Sequence, residues 1–199
     1  PVPLAMLRCT LEKDITLFDC TLPGLYLNGS QLPALRAPRL LCQGSLFLRH
    51  GFCAMGKVDL AGAKITGQLD CSGGKFSGED VALDCSTITV GADVFLSGGF
   101  EAQGKVDLTR ARITGHLSCQ DGKFLGEDEA LNCDAITVGA DVFLRDGYEA
   151  QGTINLIRAD ISGNLDLWGR YSEKGFYCAR DARGDLVYME GFKCARERS

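Results

Sequence analysis

Cysteine is the residue whose abundance first suggests chemistry: the 199-residue chain carries ten, against only two histidines. Thiols at suitable spacing bind zinc, hold iron–sulfur clusters or form disulfides. Here no Cys-x-x-Cys pair occurs, and neither His50 nor His116 lies at ligand spacing from a cysteine pair, so neither a metal nor another cofactor is expected. Cys71, Cys85, Cys119 and Cys133 instead close the steps LDC, LDC, LSC and LNC, where a thiol serves as a small hydrophobe on the buried side. Cys9, Cys20, Cys178 and Cys194 fall in the less regular ends, and their pairing stays open. Ten thiols without a disulfide framework point to a reducing compartment, the cytoplasm.

Other catalytic arrangements are missing as well. His50 and His116 neighbour inward leucines and are expected at the surface, with no serine or cysteine nucleophile and orienting acid beside them. No G-x-G-x-x-G or G-x-x-x-x-G-K-[ST] stretch is present to cradle a nucleotide. No catalytic residue can be named, and an enzyme is the less favoured reading. A net charge of −5, with 21 basic and 26 acidic residues, argues against a binder of nucleic-acid phosphates. No apolar run has the length of a membrane-spanning helix, and no signal peptide is visible.

These residues are placed by a repeat. Residues 57–76, KVDLAGAKITGQLDCSGGKF, return at 105–124 as KVDLTRARITGHLSCQDGKF; 91–104 return at 139–152, and 153–167 open a third copy. The offset is the same each time, about 48 residues, within the range of periods that marks stacked repeat architectures. Inside it, Phe52, Phe76, Phe100, Phe124 and Tyr148 recur every 24 residues, and Leu40, Ile65, Ile88, Ile113, Ile136 and Ile161 follow at alternating steps of 25 and 23. Two further ladders have the apolar-x-apolar form of short strands. One runs through Leu46/Leu48, Leu69/Cys71, Val94/Leu96, Leu117/Cys119, Val142/Leu144 and Leu165/Leu167; the other runs from Leu35/Ala37 and Val58/Leu60 to Ile154/Leu156.

Four ladders at one period predict an all-β, four-sided parallel β-helix, a β-solenoid of about 24 residues per coil and seven or eight coils. Right-handedness follows from the general preference of parallel crossovers. The regular repeat covers about 30–168, with weaker N-terminal coils in 1–29 and a divergent cap, or the start of a missing region, in 169–199. Recurrent glycines such as Gly44/Gly91/Gly139 and Gly56/Gly104/Gly152 are expected at corners, for positive φ or close coil approach.

Apolar-x-apolar steps around a four-sided coil resemble the pentapeptide-repeat proteins, right-handed quadrilateral β-helices, although those use five residues per side. The set GADVFLRDGYEAQG, TINL and RADISGNLDL is similar to a group of bacterial solenoid proteins labelled membrane-associated oxidoreductases, over roughly residues 30–168. That label implies a redox or other enzyme. The pentapeptide-repeat likeness implies an acidic DNA mimic acting on a topoisomerase, which needs a more uniformly negative surface than this one. Membrane association is implied by the label, yet no basic amphipathic helix or lipidation motif supports it.

The outward residues carry what remains. Phe47, Phe95 and Phe143 should project from one side in every second coil, an apolar stripe with rungs about 10 Å apart. Asp59, Asp84, Asp107, Asn132 and Asn155 form an acidic-to-amide ladder on another, with Lys57, Lys64, Lys105, Arg110 and Arg112 near enough to offset its charge and a divalent cation as a rarer occupant. The GED corners at 78–80 and 126–128 are expected to be solvated turns. The favoured reading is a non-catalytic scaffold whose flat faces, the phenylalanine stripe above all, bind a protein partner or another copy of the chain.

Overall fold

Apolar residues at every second position favour short strands, and a side chain buried from one coil can be covered only by the next coil. The computed structural model shows this arrangement: a β-solenoid with parallel strands stacked along four sides and no helix among the described residues. It describes residues 2–171, 176–180 and 186–189, with side chains through 168. No helix long and apolar enough to cross a membrane is present among them.

The first side stacks Leu4, Leu25, Leu46, Leu69, Val94, Leu117, Val142 and Leu165 in register. The second stacks Ile15, Leu35, Val58, Leu83, Val106, Leu131 and Ile154. From Leu46 onward, short and long coils alternate. The steps Leu46 to Leu69, Val94 to Leu117 and Val142 to Leu165 are each two residues shorter than Leu69 to Val94 and Leu117 to Val142. The first two steps, Leu4 to Leu25 and Leu25 to Leu46, are two residues shorter again, so the N-terminal coils spend about five residues per side. Within residues 4–29, expected to be weaker coils, the strands Leu4–Ala5, Ile15–Thr16, Thr21–Leu22 and Leu25–Tyr26 pair in parallel along the stack. At the other end, the strand Phe176–Arg180 continues the second side in parallel and Leu186–Met189 lies antiparallel on it. Residues 172–175, 181–185 and 190–199 of the expected cap, Cys194 among them, lie outside the described residues, as does the Cys178 side chain.

The third side corrects one expected ladder. Ile65 is level with Cys42 and Val90, and Ile113 with Val90 and Val138. Leu40, Ile88 and Ile136 sit two residues before those register positions. Both sets are buried, because a shift of two residues keeps a side chain on the same face. The fourth side shows the same offset: Phe76 is level with Ala54 and Ala102, and Phe124 with Ala102 and Ala150. Even so, the rings of Phe52, Phe76, Phe100, Phe124 and Tyr148 form one fully buried column, with centroids 5.1–5.4 Å apart.

The recurrent glycines serve the two expected purposes: Gly104 has φ 128°, and a Cβ on Gly91 or Gly139 would lie 2.2 Å from the carbonyl oxygen of Thr66 or Thr114 in the coil before. Left-handed backbone is also carried by non-glycine residues such as Thr87, Arg110, Ala135 and Arg158, with φ of 54–57°.

Candidate functional site

Alternation turns each ladder's middle residue outward, so every candidate side chain stands on a strand whose neighbours anchor the core. On the first side the outward column reads Tyr26, Phe47, Asp70, Phe95, Ser118, Phe143 and Asp166. The expectation of three open phenylalanines needs correction: Phe47, Phe95 and Phe143 are all half-buried. Phe47 stacks on Tyr26 at 5.0 Å and lies under the Arg49 guanidinium at 4.3 Å. Phe143 stacks on His116 at 5.6 Å and lies under Arg145 at 4.7 Å. The reason is local geometry: a residue two places along the strand emerges from the same face, and in these two coils it is an arginine long enough to fold back over the ring.

Each of these arginines also clamps an acid in the next coil, Arg49 to Asp70 at 2.7 Å and Arg145 to Asp166 at 2.8 Å. Asp70 is only 5% exposed. Burial works to raise its carboxyl, but hydrogen bonds from Ser72 and Arg49 outweigh that and hold it below the usual carboxylate value. The central coil lacks this clamp. Beside Phe95 the corresponding residues are Ser97 and Ser118, and no guanidinium lies over the Phe95 ring among the described residues.

The acidic-to-amide ladder is continuous: Asp59, Asp84, Asp107, Asn132 and Asn155 occupy successive rungs. One side-chain oxygen of each accepts the backbone N–H two residues on, from Ala61, Ser86, Thr109, Asp134 and Ile157, at 2.9–3.0 Å. These Asx turns shape the next corner, a role the sequence signals as D-x-[AST] or N-x-[DI] at the end of the strand. Lys57 lies 2.7 Å from Asp84 and 4.0 Å from Asp59, and Lys105 3.3 Å from Asp107 and 3.5 Å from Glu129. Burial works to raise the Asp84 carboxyl, while Lys57 and Ser86 together hold it low. Lys64, Arg110 and Arg112, also expected to offset this charge, form no ion pair among the described residues. The carboxylates are thus engaged by protein donors, and no group of three potential metal ligands is assembled among the described residues.

The cysteines occupy the core as the sequence suggests. Cys71, Cys85, Cys119 and Cys133 are fully buried and unbonded, and burial pushes all four thiols up, away from the reactive thiolate. Cys9 and Cys20, whose pairing was open, are free. His50 turns an exposed corner at φ 54°. His116, 44% exposed at its side chain, accepts the Asp141 N–H at Nδ1.

One concavity was not anticipated. The first GED corner is not a simple turn: it lies inside the continuous strand Lys75–Asp84, which is bulged between Ser77 and Val81. With the second corner it walls a groove of about 640 Å³ whose floor is Gln103, Gly104 and Lys105. Glu79, Asp80, Glu127, Asp128 and Glu129 line it, so its character is acidic. Two extra residues in alternate coils mark those coils as longer but do not show that their corners enclose a groove. No family model, curated protein or solved structure matches this chain.

Proposed function

We propose that the protein is a non-catalytic scaffold in which a stiff solenoid holds partner-binding side chains at fixed spacing. Phe95 is the observation that carries this reading. It sits at the centre of the first side, between two rings roofed by arginine, and has serines where the clamp would be. A half-buried aromatic ring without a roof, ringed by small polar groups, has the makings of a binding hot spot. Its surroundings are set by stacked backbone, so little side-chain freedom is lost on docking. The reading includes a right-handed coil, a place among bacterial solenoid repeat proteins and a reducing, cytoplasmic setting, in keeping with the unbonded thiols of the described residues.

Phe95→Ser tests it directly, with Lys123→Ser on the fourth side as the control. A protein that binds the wild-type chain should bind Phe95→Ser about tenfold more weakly or worse, and the control unchanged. Equal binding of a folded Phe95→Ser variant would remove the first side as the working surface.

A further inference from the structure

Three equivalent strands on the first side carry a phenylalanine, and two of them also carry the group that covers it. Alternate residues leave a strand on one face, so the outward triplets are Ser45, Phe47 and Arg49, then Asp93, Phe95 and Ser97, then Asp141, Phe143 and Arg145. Residues 91–96 and 139–144 are identical, GADVFL, and the two copies first differ at Ser97 and Arg145, the position that roofs the ring. The acid clamped by each internal arginine changes with it. The coil after Phe47 and after Phe143 supplies Asp70 and Asp166, whereas the coil after Phe95 supplies Ser118. What the central coil keeps is a carboxylate on the near side of the ring. Asp93 accepts the His116 N–H at Oδ1, 2.8 Å away, and forms no ion pair among the described residues. Its counterpart Asp141 is held by two hydrogen bonds from Asn164 and lies 3.4 Å from His116 Nδ1. No lysine or arginine occurs in 68–72, 93–97 or 116–120, the strand of Phe95 and the two stretches stacked on it.

We propose that Phe95 is the seat of an arginine side chain from a protein partner, whose guanidinium takes over this ring the place that Arg49 and Arg145 take over Phe47 and Phe143. This rests on the scaffold reading and names the chemistry of its partner. Two coils away on either side, a guanidinium carbon lies 4.3 or 4.7 Å from the centre of an equivalent ring, so the same strand geometry admits the same group from outside. Serine at 97 leaves the place over the ring open. Serine at 118 leaves no buried carboxylate that needs an internal arginine, so the vacancy costs the fold nothing. Charge points the same way, because Asp93 shares a face with Phe95 and offers a carboxylate to the edge of a cation stacked there. An apolar occupant would desolvate Asp93 with nothing to offset its charge. Arginine suits the seat better than lysine, since a flat, weakly hydrated guanidinium stacks on a ring while its N–H groups remain available at the edge.

Titration of the full chain with N-acetyl-arginine amide, followed by NMR, is the test; the citrulline analogue, alike in shape but uncharged, is the control. The arginine probe should shift the Phe95 ring and the Ser97 and Ser118 amide signals saturably, with a Kd of about 10–50 mM. The citrulline probe should bind about fivefold more weakly or worse. Asp93→Asn should weaken the arginine probe about threefold. Ser97→Arg should fill the seat from within, as Arg145 does at Phe143, and abolish the saturable shift while the circular dichroism spectrum is kept. If that variant unfolds, Phe95→Leu decides: it keeps an apolar side chain without a ring, should weaken the probe about threefold or more, and contradicts the proposal if binding is unchanged. The proposal is overturned by the absence of a saturable shift at these residues up to about 0.2 M probe. Equal binding of the citrulline probe, or unchanged binding by a folded Ser97→Arg variant, overturns it as well. The scaffold reading fails by a different measurement, equal partner binding of Phe95→Ser. A partner weakened by Phe95→Ser, with the arginine probe leaving the site unmoved, would keep that reading and remove the arginine.

Discussion

Coil 94–116 and the coils on either side of it, 69–93 and 117–141, share four sides but fill them differently. The short central coil sends Leu96 and Leu108 inward where its longer neighbours send Cys71, Cys85, Cys119 and Cys133. On the third side it has Ala111 level with Ile88 and Ile136, and on the fourth Ala102 level with Phe76 and Phe124. Each large residue therefore lies between two small ones along the stack. The corners follow suit: Gly98–Gly99 and Asp146–Gly147 form two-residue left-handed corners in short coils, where Gly73 or Asp121 suffices in the long ones. Phe100 and Tyr148, which follow those two-residue corners, sit two places before the register position and still enter the aromatic column. The two-coil repeat is thus a packing period, the distance over which large and small side chains complete one exchange.

Breaking the column should have the largest effect. Phe100→Ala removes a fully buried ring with a ring on each side and should destabilise by about 3–5 kcal/mol in chemical denaturation. Phe76→Ala, in the other kind of coil, should cost the same within about 1 kcal/mol if the column is continuous. A much smaller loss at Phe100 would mean that the two-residue offset breaks the stack.

Overfilling a small position comes next. Cys85 lies level with Leu60 and Leu108, and all three are fully buried. Cys85→Leu should cost about 1–3 kcal/mol, seen as a lower denaturation midpoint. Unchanged stability would show that the slot has spare room and that cysteine is not there for size.

The smallest effect concerns the clamp between coil kinds, Arg49 to Asp70. Asp70 has a lowered carboxyl in the folded chain, so its contribution is complete above the ordinary value of 3.8 and is lost as pH falls through the lowered one. Melting temperature should fall below that pH, and Asp70→Asn should flatten part of the fall while costing about 1 kcal/mol near neutrality. An identical acid profile in the variant would show the clamp to be energetically silent.

The solenoid, its four sides and the core role of four cysteines were legible in the sequence, because a period-2 pattern returning in near-identical two-coil blocks leaves little else to build. Register was less legible. Ile88 and Val90 both point inward, and nothing in the pattern says which of them is level with Ile65. The shorter N-terminal coils were partly hidden because lines such as LYLNGSQL keep the alternation while dropping residues at the corner. The arginine roofs over Phe47 and Phe143 could have been read from F-L-R recurring in two coils where the middle one has F-L-S. The groove could not, since it exists only where two equivalent corners, 78–80 and 126–128, stand over a shorter coil between them.

Leucine and cysteine sizes are matched between stacked coils, and a double-mutant cycle tests this match most directly. Leu96 and Cys119 are buried on adjacent rungs. Leu96→Cys should leave a void, Cys119→Leu should overfill, and the exchanged pair should be more stable than the sum of the single losses by about 0.5–3 kcal/mol in denaturant unfolding. Additivity within about 0.3 kcal/mol would contradict the account, since residues that fill one shared space cannot act independently.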